Sequence, residues 1–254
     1  MKLTVWVSLW CALISPFLSA TAQAAAAILI WPIDPVIESH QQASALWLEN
    51  RDSKPVYLQV RILSWQQGNG EDRYAGQTEV IPSPPVASIA PGKRQLVRLV
   101  RNSQVPPGQE RAYRILVDEV PQGDAAPETN SLGLKFQMRY SVPLFVSGPG
   151  VWTKQDYEHP RDYADAAQPV LHFRAVSAQG KAWLMVRNQG AVHARISRVS
   201  WLSGSRRISL SEGLLGYVLP GQEMRFPLKQ TVGGATRLEA TVNDNPQPVT
   251  ISAY

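Results

Sequence analysis

The feature that most constrains this chain is a hairpin pattern that occurs twice. In the first copy, residues 45–50 lead through a turn into the alternating stretch 56–65, and in the second copy residues 182–188 lead into 192–201. Apolar and polar side chains alternate with a period of two, as in strands that place one face against a core. Each copy ends in Ser-Trp, and a Pro-Gly turn follows it. Two copies of one strand plan predict two similar β-domains.

The remaining segments also read as strands. Residues 96–100 and 113–117 alternate again, and the prolines of residues 82–85 suit only an edge strand or an irregular crossing. Gly68 to Asp72 could suggest a calcium loop, but the regular carboxylate spacing is missing, so the segment is interpreted as a hairpin turn. No stretch after the N-terminus shows a helical period. Short strands separated by turns predict an all-β fold of sandwiches or barrels.

The N-terminus has the pattern of a cleavable secretory signal. Lys2 precedes an apolar stretch from Leu3 to Leu18, and small residues follow it up to Ala24, the preferred cleavage site. Cys11 is the one cysteine of the chain and lies inside this segment. We therefore expect an exported chain without disulfides and without stable membrane insertion, because no later stretch has the length of an apolar span.

The expected division of the chain is a signal peptide at residues 1–24 and two domains at residues 25–148 and 149–254. The boundary falls at the Ser-Gly-Pro-Gly sequence of residues 147–150. About 230 residues remain after cleavage, which is enough for two domains of about 100–120 residues.

The charge and the motifs argue against several functional classes. The formal net charge is +5, and its basic residues are scattered rather than clustered, which does not favour a nucleic-acid interface. Common catalytic motifs are missing from the sequence after the signal. The histidines are far apart and are interpreted as structural or surface residues; they are His40, His159, His172 and His193. We expect no metal, no cofactor and no enzymatic activity.

Residues 130–146 form the segment with the clearest functional signal. An alternating apolar face is formed by Leu132, Leu134, Phe136, Met138 and Tyr140. One interpretation is the last strand of the first domain with this face in its own core. The other is that the face points outward into a partner. Alternation alone does not decide between them.

The sequence resembles the periplasmic pilus-assembly chaperones of the chaperone–usher pathway over essentially its whole length after the signal. The segments that carry the resemblance are residues 84–92, 97–99, 118–121, 140–145 and 242–245. The opening residues 28–35 are closer to the archaic, spore-coat-type branch than to the type 1 and P-pilus chaperones.

The resemblance implies two immunoglobulin-like β-sandwich domains set at an angle to each other, and a chaperone function in the periplasm. In this family a pilin with a missing strand is completed by a strand of the chaperone, which adds main-chain hydrogen bonds and apolar side chains. The implied partners are pilin subunits and an outer-membrane usher. The implied donor residues are Leu132, Leu134, Phe136, Met138 and Tyr140.

The resemblance also implies an interdomain charge network of Arg98, Glu110 and Asp244. The chain departs from the family at the site that holds the carboxylate of the pilin. Residues 31–37 contain no basic residue, and Ser141 occupies the position expected for a lysine. Arg139 lies on the same strand face as Ser141 and is the candidate anchor, since a guanidinium can bind a carboxylate with two hydrogen bonds.

Two alternatives of other classes stay open at this point. A tandem immunoglobulin-like adhesion or carbohydrate-binding protein would share the fold and bury the apolar strand in its own core. A pilus subunit would have one domain and commonly a disulfide, which the exported chain cannot form. A chaperone with an exposed apolar strand is also expected to self-associate when free.

Overall fold

The computed structural model describes residues 28–121, 137–155, 160–178, 180–203, 206–228, 237–243, 245 and 247–254. The predicted signal peptide and four predicted site residues lie outside the described residues: Leu132, Leu134, Phe136 and Asp244. No helix in the described part of the chain has the length and apolar character needed to span a membrane.

The described residues of the first domain form ten strands in two sheets. They are β1 (Ile28–Trp31), β2 (Val36–Ile37), β3 (Ala43–Asn50), β4 (Val56–Gly68), β5 (Glu71–Gly76), β6 (Val80–Ser83), β7 (Val86–Ile89), β8 (Arg94–Arg101), β9 (Glu110–Glu119) and β10 (Arg139–Ser147). The order in the first sheet is β1-β3-β8-β6. The order in the second is β2-β10-β9-β4-β5, and β7 also pairs with β4. The two sheets enclose one apolar core.

Strand β4 shows why the alternating sequence folds this way. Val56, Leu58, Val60 and Ile62 are buried in the core, whereas the residues between them are exposed or half-buried. This arrangement confirms the predicted strand and its buried face. The proline-rich crossing is confirmed as well, because β6 is the edge of the first sheet and the chain then passes to β7 in the second.

In the part of the second domain that the structure describes there are seven strands: β11 (Leu171–Ala178), β12 (Lys181–Asn188), β13 (Ala194–Ser203), β14 (Arg206–Val218), β15 (Glu223–Leu228), β16 (Arg237–Val242) and β17 (Val249–Ala253). They form one hydrogen-bonded path in the order β14-β13-β16-β17-β11-β12-β15. The sheet curves around a single core, and its end strands β14 and β15 contact each other. A short 3-10 turn at Tyr163–Asp165 lies in the connection from β10 to β11.

The segment that occurs twice in the sequence is a repeated structure, but the predicted pairing of its two strands as a hairpin is wrong. Strands β3 and β4 lie in different sheets, and in the described order of the second sheet path β12 and β13 are not hydrogen-bonded neighbours. Asn50 ends β3 and Asn188 ends β12, and both are completely buried. The amide of Asn50 donates to Lys54 O at 2.8 Å and to Ile89 O at 2.9 Å. The amide of Asn188 donates to two other carbonyls, those of Val192 at 2.7 Å and Val218 at 3.1 Å. The prediction of two β-domains is therefore confirmed, and each domain contains the buried asparagine at the end of the first repeated strand.

We expect Asn50→Ala to lower the free energy of unfolding by about 1–3 kcal/mol, because the buried carbonyl of Ile89 and the part-buried carbonyl of Lys54 lose this donor. The measurement is urea denaturation followed by tryptophan fluorescence. Asn102→Ala is the control, since Asn102 is exposed and its amide donates one hydrogen bond, to Thr78 O. Equal losses in the two variants would contradict the importance of the buried amide.

Candidate functional site

The two faces of strand β10 pack in different environments. Val142, Leu144 and Val146 point into the core of the first domain. Phe145, on the opposite face, is also fully buried, but it packs in a separate cluster with Trp65 and Leu219. Leu219 belongs to the second domain, so this face of the second sheet forms the floor of the interface between the domains.

The two described residues of the predicted donor face, Met138 and Tyr140, lie in different surroundings. Met138 lies directly before β10 and is 39% exposed. Tyr140 packs against the core of its own domain, and its hydroxyl accepts a hydrogen bond from Ile28 N at 3.3 Å. Tyr140 therefore belongs to the packing of the first domain. Met138 is the next residue of this apolar face in the N-terminal direction, and it is exposed to solvent.

Arg139, the candidate carboxylate anchor, is engaged by an acidic side chain. It forms an ion pair with Asp118 on the neighbouring strand, and Arg61 binds the same carboxylate at 2.6 Å. Burial alone would raise the pKa of Asp118, but the hydrogen bonds from Arg139 and Arg61 outweigh it and hold the pKa below its usual value. The side chain of Arg139 remains 63% exposed.

Glu110 lies at the interface between the domains, and its partner is His193 of the second domain. The carboxylate accepts from His193 N at 2.8 Å, and each of its oxygens lies 3.0 Å from His193 Nδ1. Both side chains are buried, and the imidazole stacks on the ring of Phe145 with 3.4 Å between the centroids. His193 thus has the structural role expected from the sequence.

The structure corrects the pairing that the resemblance implied for Arg98 and Glu110. Arg98 is exposed on β8 in the first sheet, between Ala45 and Ser83, whereas Glu110 begins β9 in the second sheet. No ion pair between described residues joins them. A buried carboxylate needs a partner close to it, and the backbone and ring of His193 provide that partner.

The connection between the domains is fastened to the first domain by two ion pairs. Lys154 binds Asp34 at 2.7 Å, and Arg161 binds both carboxylate oxygens of Glu38, at 2.8 and 2.5 Å. The guanidinium of Arg161 also lies 4.0 Å from the ring centroid of Trp152. These contacts attach the connection to the segment between β1 and β3.

Arg114 is a further cation at the interface, and the sequence reading did not single it out. It pairs in register with Pro143 of β10, and its guanidinium lies 3.8 Å from the ring centroid of Trp65. Tyr217 of the second domain lies on another side of it, at 5.2 Å. Its Nε is buried and has no hydrogen-bond partner among the described residues.

Tyr74 is a further neighbour of Arg114. Burial raises the pKa of Tyr74, the charge of Arg114 opposes that increase, and Asp72 adds to it. Arg114 therefore carries its charge among aromatic rings, where a cation is attracted to the ring faces. In the sequence, Arg114 lies between the apolar residues Tyr113 and Ile115. That pattern fits a residue on a solvent-exposed strand face equally well, so it does not identify Arg114 as an interface residue.

Comparisons with known proteins place this geometry in a family. The family model described as "Pili and flagellar-assembly chaperone, PapD N-terminal domain" matches residues 35–151. A search among curated proteins gave no match.

The chain is similar to several solved structures over most of its length. It is 32% identical to a chain of the chaperone–tip adhesion subunit pre-assembly complex CsuC–CsuE from archaic chaperone–usher Csu pili of Acinetobacter baumannii, with a TM-score of 0.70; the match covers 89% of this chain and 98% of that chain. The YadV chaperone gives 18% identity and a TM-score of 0.60, covering 88% and 96% of the two chains. The Salmonella enterica SafA pilin in complex with the SafB chaperone gives 15% identity and a TM-score of 0.62, covering 91% and 98%. The last two support the fold alone.

We expect Glu110→Ala to lower the free energy of unfolding by about 1–3 kcal/mol, because it leaves the buried N–H of His193 without an acceptor. Glu110→Gln keeps an acceptor oxygen and should lose less. Urea denaturation measures both, with Glu212→Ala as the control because Glu212 is exposed on β14. If Glu110→Ala is as stable as the control, the carboxylate contributes nothing to the interface.

Proposed function

The chain belongs to the pilus-assembly chaperones, and we propose that it completes the open groove of a pilin with residues 132–138, which the groove takes up as an added strand, and passes the subunit to an outer-membrane usher. The main support for this proposal is the exposure of Met138, which lies directly before β10, where the apolar face of the strand is no longer buried in the core of the first domain. The same alternation continues N-terminally through Phe136, Leu134 and Leu132. A face that is buried from Val142 onward and exposed at Met138 is available to another protein's core.

The physical basis is strand addition. The partner gains main-chain hydrogen bonds along the strand, and alternate side chains of the donor fill its open core. Full burial of one such apolar side chain contributes about 1.5–3 kcal/mol. Because association costs oppose this gain, the complex can hold a subunit and still release it to a competing strand.

The periplasm is the proposed compartment. The N-terminal pattern of Lys2, an apolar stretch and small residues supports export, and the family's chaperones act on exported subunits. Self-association of the free protein belongs to the same proposal, because a second copy would cover the apolar strand. Sedimentation velocity of the free protein tests it, and a concentration-independent monomer would contradict it.

The anchor for the pilin's terminal carboxylate has two candidate positions. Arg139 is exposed but is already paired with Asp118. Arg114 lies deeper, beside the second domain, and no carboxylate among the described residues forms an ion pair with it. A carboxylate that reaches this side of the interface would meet a partly buried guanidinium that has no ion-pair partner among the described residues, and an ion pair is stronger there than in water. Arg114 is therefore the stronger proposal.

We expect Met138→Asp and Phe136→Asp each to weaken capture of a pilin by at least about tenfold, since tenfold corresponds to about 1.4 kcal/mol and burial of each side chain contributes at least that much. The measurement is co-purification of soluble pilin after co-expression in a periplasm. Gln137→Asp is the matched control, because Gln137 is exposed and alternates to the opposite face. Undiminished capture by both donor variants would place the interface elsewhere.

We expect Arg114→Gln to reduce affinity for a pilin with a free terminal carboxylate and to leave affinity for its C-terminal amide unchanged. Loss of a hydrogen-bonded charge pair is expected to cost about 2–5 kcal/mol. Titration calorimetry with both pilin forms measures the difference, and Arg139→Gln is the parallel variant. A carboxylate-dependent loss in Arg139→Gln alone would assign the anchor to Arg139.

A further inference from the structure

The hairpin of β4 and β5 extends beyond the sheet to which it belongs. Strand β4 pairs with β9 only as far as Trp65, whereas its pairing with β5 continues to Gly68 and Glu71. Asn69 and Gly70 form the turn, and both have positive φ angles, as two-residue hairpin turns require. The hairpin turn predicted at Gly68 to Asp72 is thus confirmed. We call residues Gln67–Glu71 the hairpin tip.

The hairpin tip contacts the backbone of the second domain through one amide side chain. Gln67 Nε2 donates to Tyr217 O at 3.0 Å, and Gln67 Oε1 accepts from Leu219 N at 2.8 Å. The second amide hydrogen points to Asp72 Oδ1 at 3.0 Å, and Asp72 also accepts from Trp65 Nε1. Gln67 is only 7% exposed, and its hydrogen bond with Leu219 N is buried, so loss of this amide would remove a buried partner of that N–H.

Gly70 makes the second contact of the hairpin tip. It forms a parallel β-bridge with Met224, and the neighbouring Glu71 forms an ion pair with Arg225. A Cβ at Gly70 would lie 2.8 Å from Arg225 Cγ and 3.1 Å from Arg225 Cδ. Gly70 is therefore required both by its φ of 76° and by the close approach of the second domain.

We propose that the hairpin tip fixes the orientation of the second domain, with Gln67 and Gly70 as its positioning residues. Two domains joined by one connection move relative to each other unless their interface prevents it. The connection leaves from β10, and the hairpin lies two strands away in the sheet, about 10 Å at ordinary strand spacing. A contact at that distance from the connection opposes rotation about it.

The orientation matters because Tyr217 contributes to the surroundings of Arg114. Gln67 binds the carbonyl of Tyr217, and the ring of Tyr217 lies over the guanidinium. The hairpin tip therefore places the part of the second domain that completes the proposed carboxylate site. This consequence for pilin binding rests on the proposed function, whereas the orientation itself does not.

The test measures distances between spin labels on the two domains by pulsed electron paramagnetic resonance. Cysteines at the exposed Ser53 and Ser177 carry the labels, which is practical because Cys11 is the chain's one native cysteine. We expect Gly70→Ala and Gln67→Met to roughly double the width of the distance distribution, since domain motion is the default once such an interface is weakened. If Gly70→Ala fails to fold, Gln67→Met alone decides.

Gly92→Ala is the matched control. Gly92 has a similar φ of 67°, but a Cβ there meets nothing within 4 Å. The control therefore carries the same backbone strain without the clash at the interface and should keep the wild-type distribution. A wild-type distribution in Gly70→Ala and Gln67→Met would overturn the proposal. Pilin capture by the wild-type protein is measured separately, so a failure of the proposed function would not be mistaken for a failure of the hairpin tip.

Discussion

The alternation of side chains along β10 is the constraint on which the rest of the molecule depends. Even-numbered residues such as Val142 and Leu144 complete the core of the first domain, and Phe145 on the other face packs against the second. A shift of the strand by one residue would exchange the two faces and disrupt both cores at once. The same register determines that the apolar face emerges into solvent at Met138. Core, interface and proposed donor face are therefore set by one strand.

The interface combines a small apolar cluster with a few buried polar contacts. Trp65, Phe145 and Leu219 exclude water, and the Glu110–His193 pair and Gln67 satisfy polar groups beside them. Buried polar contacts of this kind add little net stability, but they penalise any arrangement in which their partners are missing. These contacts can therefore favour one orientation of the domains.

Most of the fold was predictable from the sequence because it depends on local patterns. The alternation at residues 56–63 predicts β4, and the sequence repeat around Asn50 and Asn188 predicts two similar domains, although its strands do not pair as the predicted hairpins. The interdomain partners were not predictable in the same way. Glu110 and His193 are 83 residues apart, and Gln67 and Leu219 are 152 apart. Nothing in the local pattern of Gln67 distinguishes it from a solvated glutamine. Arg98 matches the family's interdomain charge network in sequence, but the structure places it in the first sheet, away from Glu110 in the second.

The ends of the second domain's sheet have a consequence for a chaperone of β-proteins. Strands β14 and β15 are these ends, and their described residues contact each other without forming a hydrogen-bonded pair. Unpaired strand edges invite pairing with another chain. Gly70 of the first domain forms a β-bridge with Met224 on β15, so the hairpin tip occupies part of one of these edges. The contact between the domains therefore also leaves less of this edge open to a foreign strand.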